Sequence, residues 1–303
     1  MVAMKGTIDH TTPFFLAGFR LVPAGLLVLL WAALKGRRGP DSWRAWGWIG
    51  LFAIVDGTLF QGFLAQGLQR TGAGLGSVMI DSQPLAVALL ALWLFGEHIG
   101  WIGWVGLLVG VAGISCLGLP EAFFQGAIDW QHLDVLGALF DNGQWLMLLA
   151  ALSMAVGTVI SRYVSRHVDS VVATGWHMVI GGIPLLLLSA QGETNQWQMM
   201  GGQDWLALGY ATIFGSAIAY GLFFQAAATG SLTSLSALTF LTPVFALLFG
   251  NLFLGETLDA LQTGGVCLTL VSIYLINQRD VLSGAAALEA EKLPKPVEAP
   301  VER

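Results

Sequence analysis

The chain has 303 residues, 55% of them hydrophobic and only 11% charged, with mean hydropathy +0.72 and a formal net charge of −6. A water-soluble domain carries about 25% charged residues, so this surface is built for lipid. The excess acid is scattered over connectors and a tail and leaves no basic face, which excludes nucleic acid as a partner.

A bilayer core of about 30 Å takes about 20 apolar residues per helix, and nine stretches meet that length: 13–34, 45–68, 75–95, 101–119, 144–164, 170–190, 204–227, 235–254 and 258–277. They predict an all-α polytopic membrane protein. The first carries Arg20, the second Asp56, Gln61 and Gln66, and the third Asp81, Ser82, Gln83 and Pro84. In the fourth, Gly103, Gly106, Gly110 and Gly113 have the small-residue spacing of closely packed membrane helices. Trp176 and His177 lie in the sixth, Tyr220 and Gln225 in the seventh, Thr242 and Pro243 in the eighth. Cys116 and Cys267 fall inside apolar runs and read as small buried hydrophobes. Residues 279–303, rich in Ala, Glu, Lys and Pro, read as a disordered tail.

Lys and Arg are retained on the cytoplasmic side of a membrane. Lys35, Arg37, Arg38 and Arg44 share one connector, Arg162 and Arg166 another, and Arg279 follows the last helix. Nine alternating helices put all three clusters on one face, with the C-terminus cytoplasmic. The opposite face receives the acidic connectors 120–143 and 191–203, and only Lys5 and Arg70 among the cations. The opening MVAMKGTIDHTTPFF has neither signal-peptide nor transit-peptide composition, so a cytoplasmic (inner) membrane is the expected address.

An internal repeat refines the picture. Residues 51–118 superpose without a gap on 210–277: Pro84 meets Pro243, Gly96-Glu97 meets Gly255-Glu256, Gln66 meets Gln225, and Gln61 meets Tyr220. Upstream the offset shortens by two residues, so that Gly18-Phe19-Arg20 lies on Gly175-Trp176-His177 and Lys5 on Arg162. The second half has five helices and the first four, preceded by residues that match the end of the fifth. The expectation is nine complete helices plus the end of a truncated first one. An odd number of helices per repeat inserts the two halves oppositely, an inverted repeat.

The segments PLAVALLALWLFGEHIGWIGWVGLLVGVAGI and PVFALLFGNLFLGETLDALQTGGVCLTLVSI resemble the paired EamA repeats of the drug/metabolite transporter superfamily. The marks are a proline opening the helix, Gly-Glu at its end and a glycine-rich helix after it. The resemblance implies a first EamA-like repeat over 1–118, an extracytoplasmic connector over 119–143, a second repeat over 144–278 and the tail. It also implies a ten-helix inverted-repeat bundle that exports or exchanges amino-acid-like, other metabolite or drug-like solutes without ATP. The missing first helix departs from that pattern.

A charge at the bilayer centre costs about 2.5–3.5 kcal/mol on insertion scales, so Arg20, Asp56 and Asp81 each need a wet cavity or a partner. Two readings stand for Arg20: it pairs with one of the acids and ties the bundle, or an acid titrates during transport while Arg20 tunes it or meets a solute carboxylate. Neither acid has a counterpart in the second half, where Gly215 and Phe240 stand, and His177 occupies the place of Arg20 as a second candidate proton site. Pro84 and Pro243 remove backbone hydrogen bonds, leaving carbonyls beside Ser82, Gln83 and Thr242. Gln61, Gln66, Tyr220 and Gln225 read either as interhelical bonds or as a cavity lining, and Trp176 as a solute platform.

A secondary carrier is the leading expectation, with a small-molecule solute, lipid and protons as partners; a homodimer stays open. A non-transporting membrane subunit is the alternative. An intramembrane enzyme finds no support: HExxH and GxSxG are absent, GAGLGS at 72–77 is neither a dinucleotide fingerprint nor a P-loop, and the five histidines form no motif. No metal or cofactor is expected.

Overall fold

The computed structural model describes residues 1–95, 99–118, 142–229 and 241–278. These form helices α1 (Val2–Ile8), α2 (Pro13–Leu34), α3 (Trp43–Phe52), α4 (Phe60–Arg70), α5 (Ala73–Ile80), α6 (Gln83–Phe95) and α7 (Trp101–Gly118) in the first half. In the second half they form α8 (Gly143–Val164), α9 (Ser170–Gly192), α10 (Gly202–Thr212), α11 (Ala219–Thr229), α12 (Leu241–Leu254) and α13 (Ala260–Asn277). Two π-helical segments, π1 (Ala53–Leu59) and π2 (Ile213–Ile218), join α3 to α4 and α10 to α11. Among the described residues there is no strand.

Local sequence sets the helix ends. Ser42, Asn142, Asp169 and Asp259 accept backbone N–H bonds at the starts of α3, α8, α9 and α13, satisfying donors that a helix start leaves unpaired. Gly36 and Gly255, both at φ 66°, follow α2 and α12, a left-handed turn that glycine adopts without steric cost.

Seven apolar helical runs of at least 18 residues are long enough to cross a bilayer. Two shorter ones, Trp101–Leu117 and Thr242–Leu254, fall where the fourth and eighth spans were expected. Among the described residues seven runs thus reach full length, and the expected spans 101–119 and 235–254 extend into residues outside the described ones. The expectations for 119–141, 279–303 and the Gly96-Glu97 pair lie outside those residues. Large apolar side chains face outward, including Trp93 at 81% exposure and Leu34 at 78%, as a bundle immersed in lipid requires.

Because lipid tails are as apolar as the helices, association relies on close packing of small residues. In α2 and α9 that role falls to four glycines. A Cβ on Gly18 would lie 2.8 Å from Leu186, and one on Gly175 would lie 2.6 Å from Leu29. One on Gly25 would meet Val179 at 2.8 Å and Met178 at 2.9 Å, and one on Gly182 would meet Val22 at 2.7 Å and Leu21 at 3.3 Å. Under the repeat, Gly18 corresponds to Gly175, Gly25 to Gly182, Leu29 to Leu186, and Leu21-Val22 to Met178-Val179. Each contact thus recurs with its partners exchanged, the signature of an isologous two-fold interface. Residues rising along α2 meet residues falling along α9, so the two helices run antiparallel.

The α7–α13 pair obeys the same rule. A Cβ on Gly106 would lie 2.9 Å from Ile276 and 3.2 Å from Leu275, while one on Gly265 would lie 2.8 Å from Leu117 and 3.0 Å from Cys116. Here too repeat-equivalent residues exchange partners along antiparallel axes. Ser272 donates to the Gly106 carbonyl at 2.5 Å across the same crossing.

One end of the bundle is tied by polar contacts between the halves. Glu193 accepts the N–H groups of Phe14 and Phe15 at 2.9 and 3.1 Å, and Glu256 those of Ala73 and Gly74 at 2.5 and 2.9 Å. Each carboxylate sits on the positive end of a helix of the other half. His10 meets Asp204 at 2.9 Å, and within the first half Lys5 donates to the Leu68 carbonyl at 2.9 Å.

Two outcomes follow from this packing. A Cβ on Gly181 would lie 2.5 Å from Gly57 Cα and 2.6 Å from the Ala53 carbonyl, backbone atoms that have no rotamer to yield. Gly181→Ala should therefore lower stability in detergent by about 1–3 kcal/mol, whereas Gly209→Ala, inside α10 with open space around it, should keep or raise the melting temperature. The Asp204 hydrogen bond and charge hold the His10 ring above its usual value of 6.5. A raised folded-state value means that this contact contributes fully below 6.5 and is lost as pH rises through the folded value. Melting curves from pH 5 to 9 should show that loss in the native chain and not in Asp204→Asn.

Candidate functional site

The π segments position the site. A π turn inserts an extra residue into the α-helical ladder and re-aims the side chains around it. π1 and π2 fall at repeat-equivalent places, and each carries one buried polar residue, Asp56 (2% exposed) and Ser216 (0%). The helices facing them are the antiparallel pair α2 and α9, whose equivalent residues Arg20 and His177 point to opposite halves: Arg20 reaches π2, and His177 reaches π1.

Arg20, 4% exposed, donates through Nη1 to Ser216 Oγ at 2.5 Å and through Nη2 to Gln61 Oε1. Gln61 in turn donates through Nε2 to the Tyr220 hydroxyl at 2.8 Å. Gln61 and Tyr220 are repeat equivalents in direct contact, as residues beside a two-fold axis must be. Arg20 Nε has no acceptor, and among the described residues no carboxylate lies within ion-pair distance of the guanidinium.

Asp56 faces His177 instead, with Oδ2 3.2 Å from Nε2 and side-chain exposures of 2% and 0%. The approach is close but off the hydrogen-bond direction, leaving Asp56 Oδ2 and both His177 ring nitrogens without an aligned partner. Phe52 stacks on the imidazole at 4.1 Å between ring centres, and Phe224 presents its edge at 5.8 Å. Gly157 makes room for the carboxylate, since a Cβ there would lie 2.7 Å from Asp56 Oδ1.

Of the residues singled out in the sequence, the fold thus brings Arg20, Asp56, Gln61, His177 and Tyr220 together. It does not pair Arg20 with an acid, so the reading of that arginine as one half of a bundle-tying ion pair fails among the described residues. A second group forms where the helix breaks between α5 and α6: Asp81 accepts from Ser77 at 3.1 Å, Ser82 donates to the Met79 carbonyl at 2.5 Å, and Gln83 donates to Thr158 at 2.6 Å. Pro84 stands in the first turn of α6, where a missing N–H costs nothing, so the break lies before the proline. Trp176 packs against Trp46 at 5.0 Å between ring centres. Gln66 is half-buried and Thr242 exposed, Pro243 is buried in the first described turn of α12, and Gln225 lines an apolar groove of about 370 Å³ beside Leu27, Trp31 and Leu222.

Ser216, Phe52, Phe224 and Gly157 escaped the sequence reading. Ser216 carried a usable signal: a polar residue in an apolar run, one position after the repeat equivalent of Asp56. No groups of three or more His, Cys, Asp or Glu side chains suited to a metal occur among the described residues.

If Gln61 orients a buried cation, Gln61→Leu should destabilise the protein by about 1.5–3 kcal/mol, the worth of a hydrogen bond to a charged group. Arg20→Met should be neutral or stabilising, because an apolar chain replaces a buried charge. The double variant should then show almost none of the Gln61 cost, read from melting temperatures of the four proteins.

Residues 1–119 and 141–278 match the EamA-like transporter family. An uncharacterized transporter of Synechocystis sp. is 62% identical over 93% of this chain and 86% of its own length. A WAT1-related chloroplastic protein of Arabidopsis thaliana is 54% identical over 91% of this chain, which spans 66% of that relative. A solved crystal structure shares the fold over 97% of this chain and 96% of its own, with a TM-score of 0.62 at 18% identity.

Proposed function

The chain belongs to the EamA-like transporter family, and on that premise we propose that it is a secondary carrier, exporting or exchanging small amino-acid-like or drug-like metabolites by alternating access. The observation that carries this reading is the network Arg20–Gln61–Tyr220 with Ser216, in which both halves contribute to one buried polar centre where π1 and π2 face α2 and α9. Buried ionisable groups in a membrane bundle mark solute and proton paths.

Antiparallel, partner-exchanging contacts in α2–α9 and α7–α13 support halves inserted in opposite orientations, the design of many secondary transporters with a central site. The cationic connectors around Lys35, Arg37, Arg38, Arg44, Arg162 and Arg166 support a cytoplasmic placement of that face in the cell membrane. The ties of Glu193, Glu256 and His10–Asp204 then lie at the outer end, and opening the site outward requires parting them. In this reading the Asp56–His177 contact carries the coupling proton, because protonation of either group alters the one close charge contact between π1 and α9 and so biases the two access states.

A metabolite comparison of deletion and overexpressing cells identifies the solute, and flux of that solute is then followed in proteoliposomes. Flux in the native protein should respond to an imposed pH gradient, and Asp56→Asn should remove that response while Gly209→Ala keeps it. If no solute level follows expression of the protein, the carrier reading is wrong.

A further inference from the structure

We infer that the solute bears a single carboxylate and that Arg20 is the group that docks it. The inference rests on the carrier reading above and deepens it by naming the chemistry of the cargo.

A buried guanidinium ordinarily faces a carboxylate, and among the described residues none lies within ion-pair distance of Arg20. Asp56 faces His177 at 3.2 Å and Asp81 accepts from Ser77 at 3.1 Å. Glu193 and Glu256 accept backbone N–H groups at the tied end of the bundle. Arg20 is left with two neutral acceptors, Ser216 Oγ and Gln61 Oε1. Each occupies one terminal nitrogen and fixes the guanidinium plane. Of its five N–H donors, Nε–H has no acceptor among the described residues. The edge formed by Nε–H and one of the two remaining Nη protons is the fork that takes a carboxylate in bidentate geometry.

Tyr220 adds a further donor. Its hydroxyl accepts from Gln61 Nε2 at 2.8 Å, which leaves its own proton available for an oxygen of the solute. The centre therefore offers one fixed positive charge and several aligned donors. His177 faces the Asp56 carboxylate at 3.2 Å and so supplies no second unopposed cation. A lone cation is balanced by a monoanion, and a phosphate dianion would keep an uncompensated charge in a dry site. Gln61 and Ser216 act as stand-ins that hold the guanidinium in place when no cargo is bound.

The test measures the melting temperature of the purified full-length protein in detergent against acetate, benzoate and phenylacetate. Each is paired with its uncharged amide (acetamide, benzamide, phenylacetamide), and inorganic phosphate is included. At least one carboxylate should raise the melting temperature saturably while its amide does not. Arg20→Gln should weaken that carboxylate by about 10–100-fold, the loss expected for a hydrogen bond to a charged group. Should Arg20→Gln fail to fold, Arg20→Lys, which keeps the charge but not the fork, and Tyr220→Phe should each weaken it, the amide staying silent. Equal shifts from acid and amide, a response to phosphate alone, silence across the panel, or an undiminished response in Arg20→Gln would each overturn the inference. Solute flux that depends on Gln61 with no carboxylate response would remove this inference and leave the carrier standing. A carboxylate response in a protein that moves no solute would do the reverse.

Discussion

Bare backbone at Gly18, Gly25, Gly175 and Gly182 lets α2 and α9 approach closely enough for Leu186, Leu29, Val179 and Val22 to fill the space where side chains would otherwise stand. The rest of the architecture depends on that approach. The crossing carries Arg20 and His177 on the same antiparallel pair and turns each toward the π segment of the other half. In lipid, where no water is released when two helices meet, such contact area is the main source of cohesion. The Gly57–Gly181 contact, where α9 touches the backbone of π1, extends the same logic to the segment that holds Asp56.

The electrostatics built on this frame are uneven. A buried charge is tolerated when it is paired and hydrogen-bonded and is expensive otherwise. Half-buried Glu193 and Glu256 are satisfied by two backbone donors each and belong to the scaffold. Among the described residues, buried Arg20 and the Asp56–His177 contact do not meet that standard: one lacks a counter-charge, the other an aligned hydrogen bond. Both lie where π1 and π2 face α2 and α9.

The architecture was readable because lipid imposes a strong constraint: every span must be apolar, and its length is set by the bilayer. Pro84 with Pro243, and Gln61 with Tyr220, exposed the repeat, and the structure puts the second pair in direct contact. The π turns were not readable, since neither segment differs in composition from the α-helix around it, and with them went Ser216. Proximity also misled. Arg20, Asp56 and Asp81 stood out as three buried charges inviting an ion pair, yet which helix faces which is decided by glycine spacing across the halves, and that spacing delivers Asp56 to a histidine. The glycine spacing of α7 did not reveal that Gly106 meets Leu275 and Ile276 while Gly265 meets Cys116 and Leu117.

The Gln61–Tyr220 hydrogen bond has one more implication. A residue beside a two-fold axis meets its own counterpart, so if the two halves were identical this position would confront itself, amide to amide or phenol to phenol, with no reason for the proton to lie on either side. Glutamine opposite tyrosine removes that degeneracy. The bond chain from Arg20 through Gln61 to Tyr220 has a direction, and a scaffold of mirrored parts acquires a polarity at its centre, which duplicated halves can obtain only by diverging from one another.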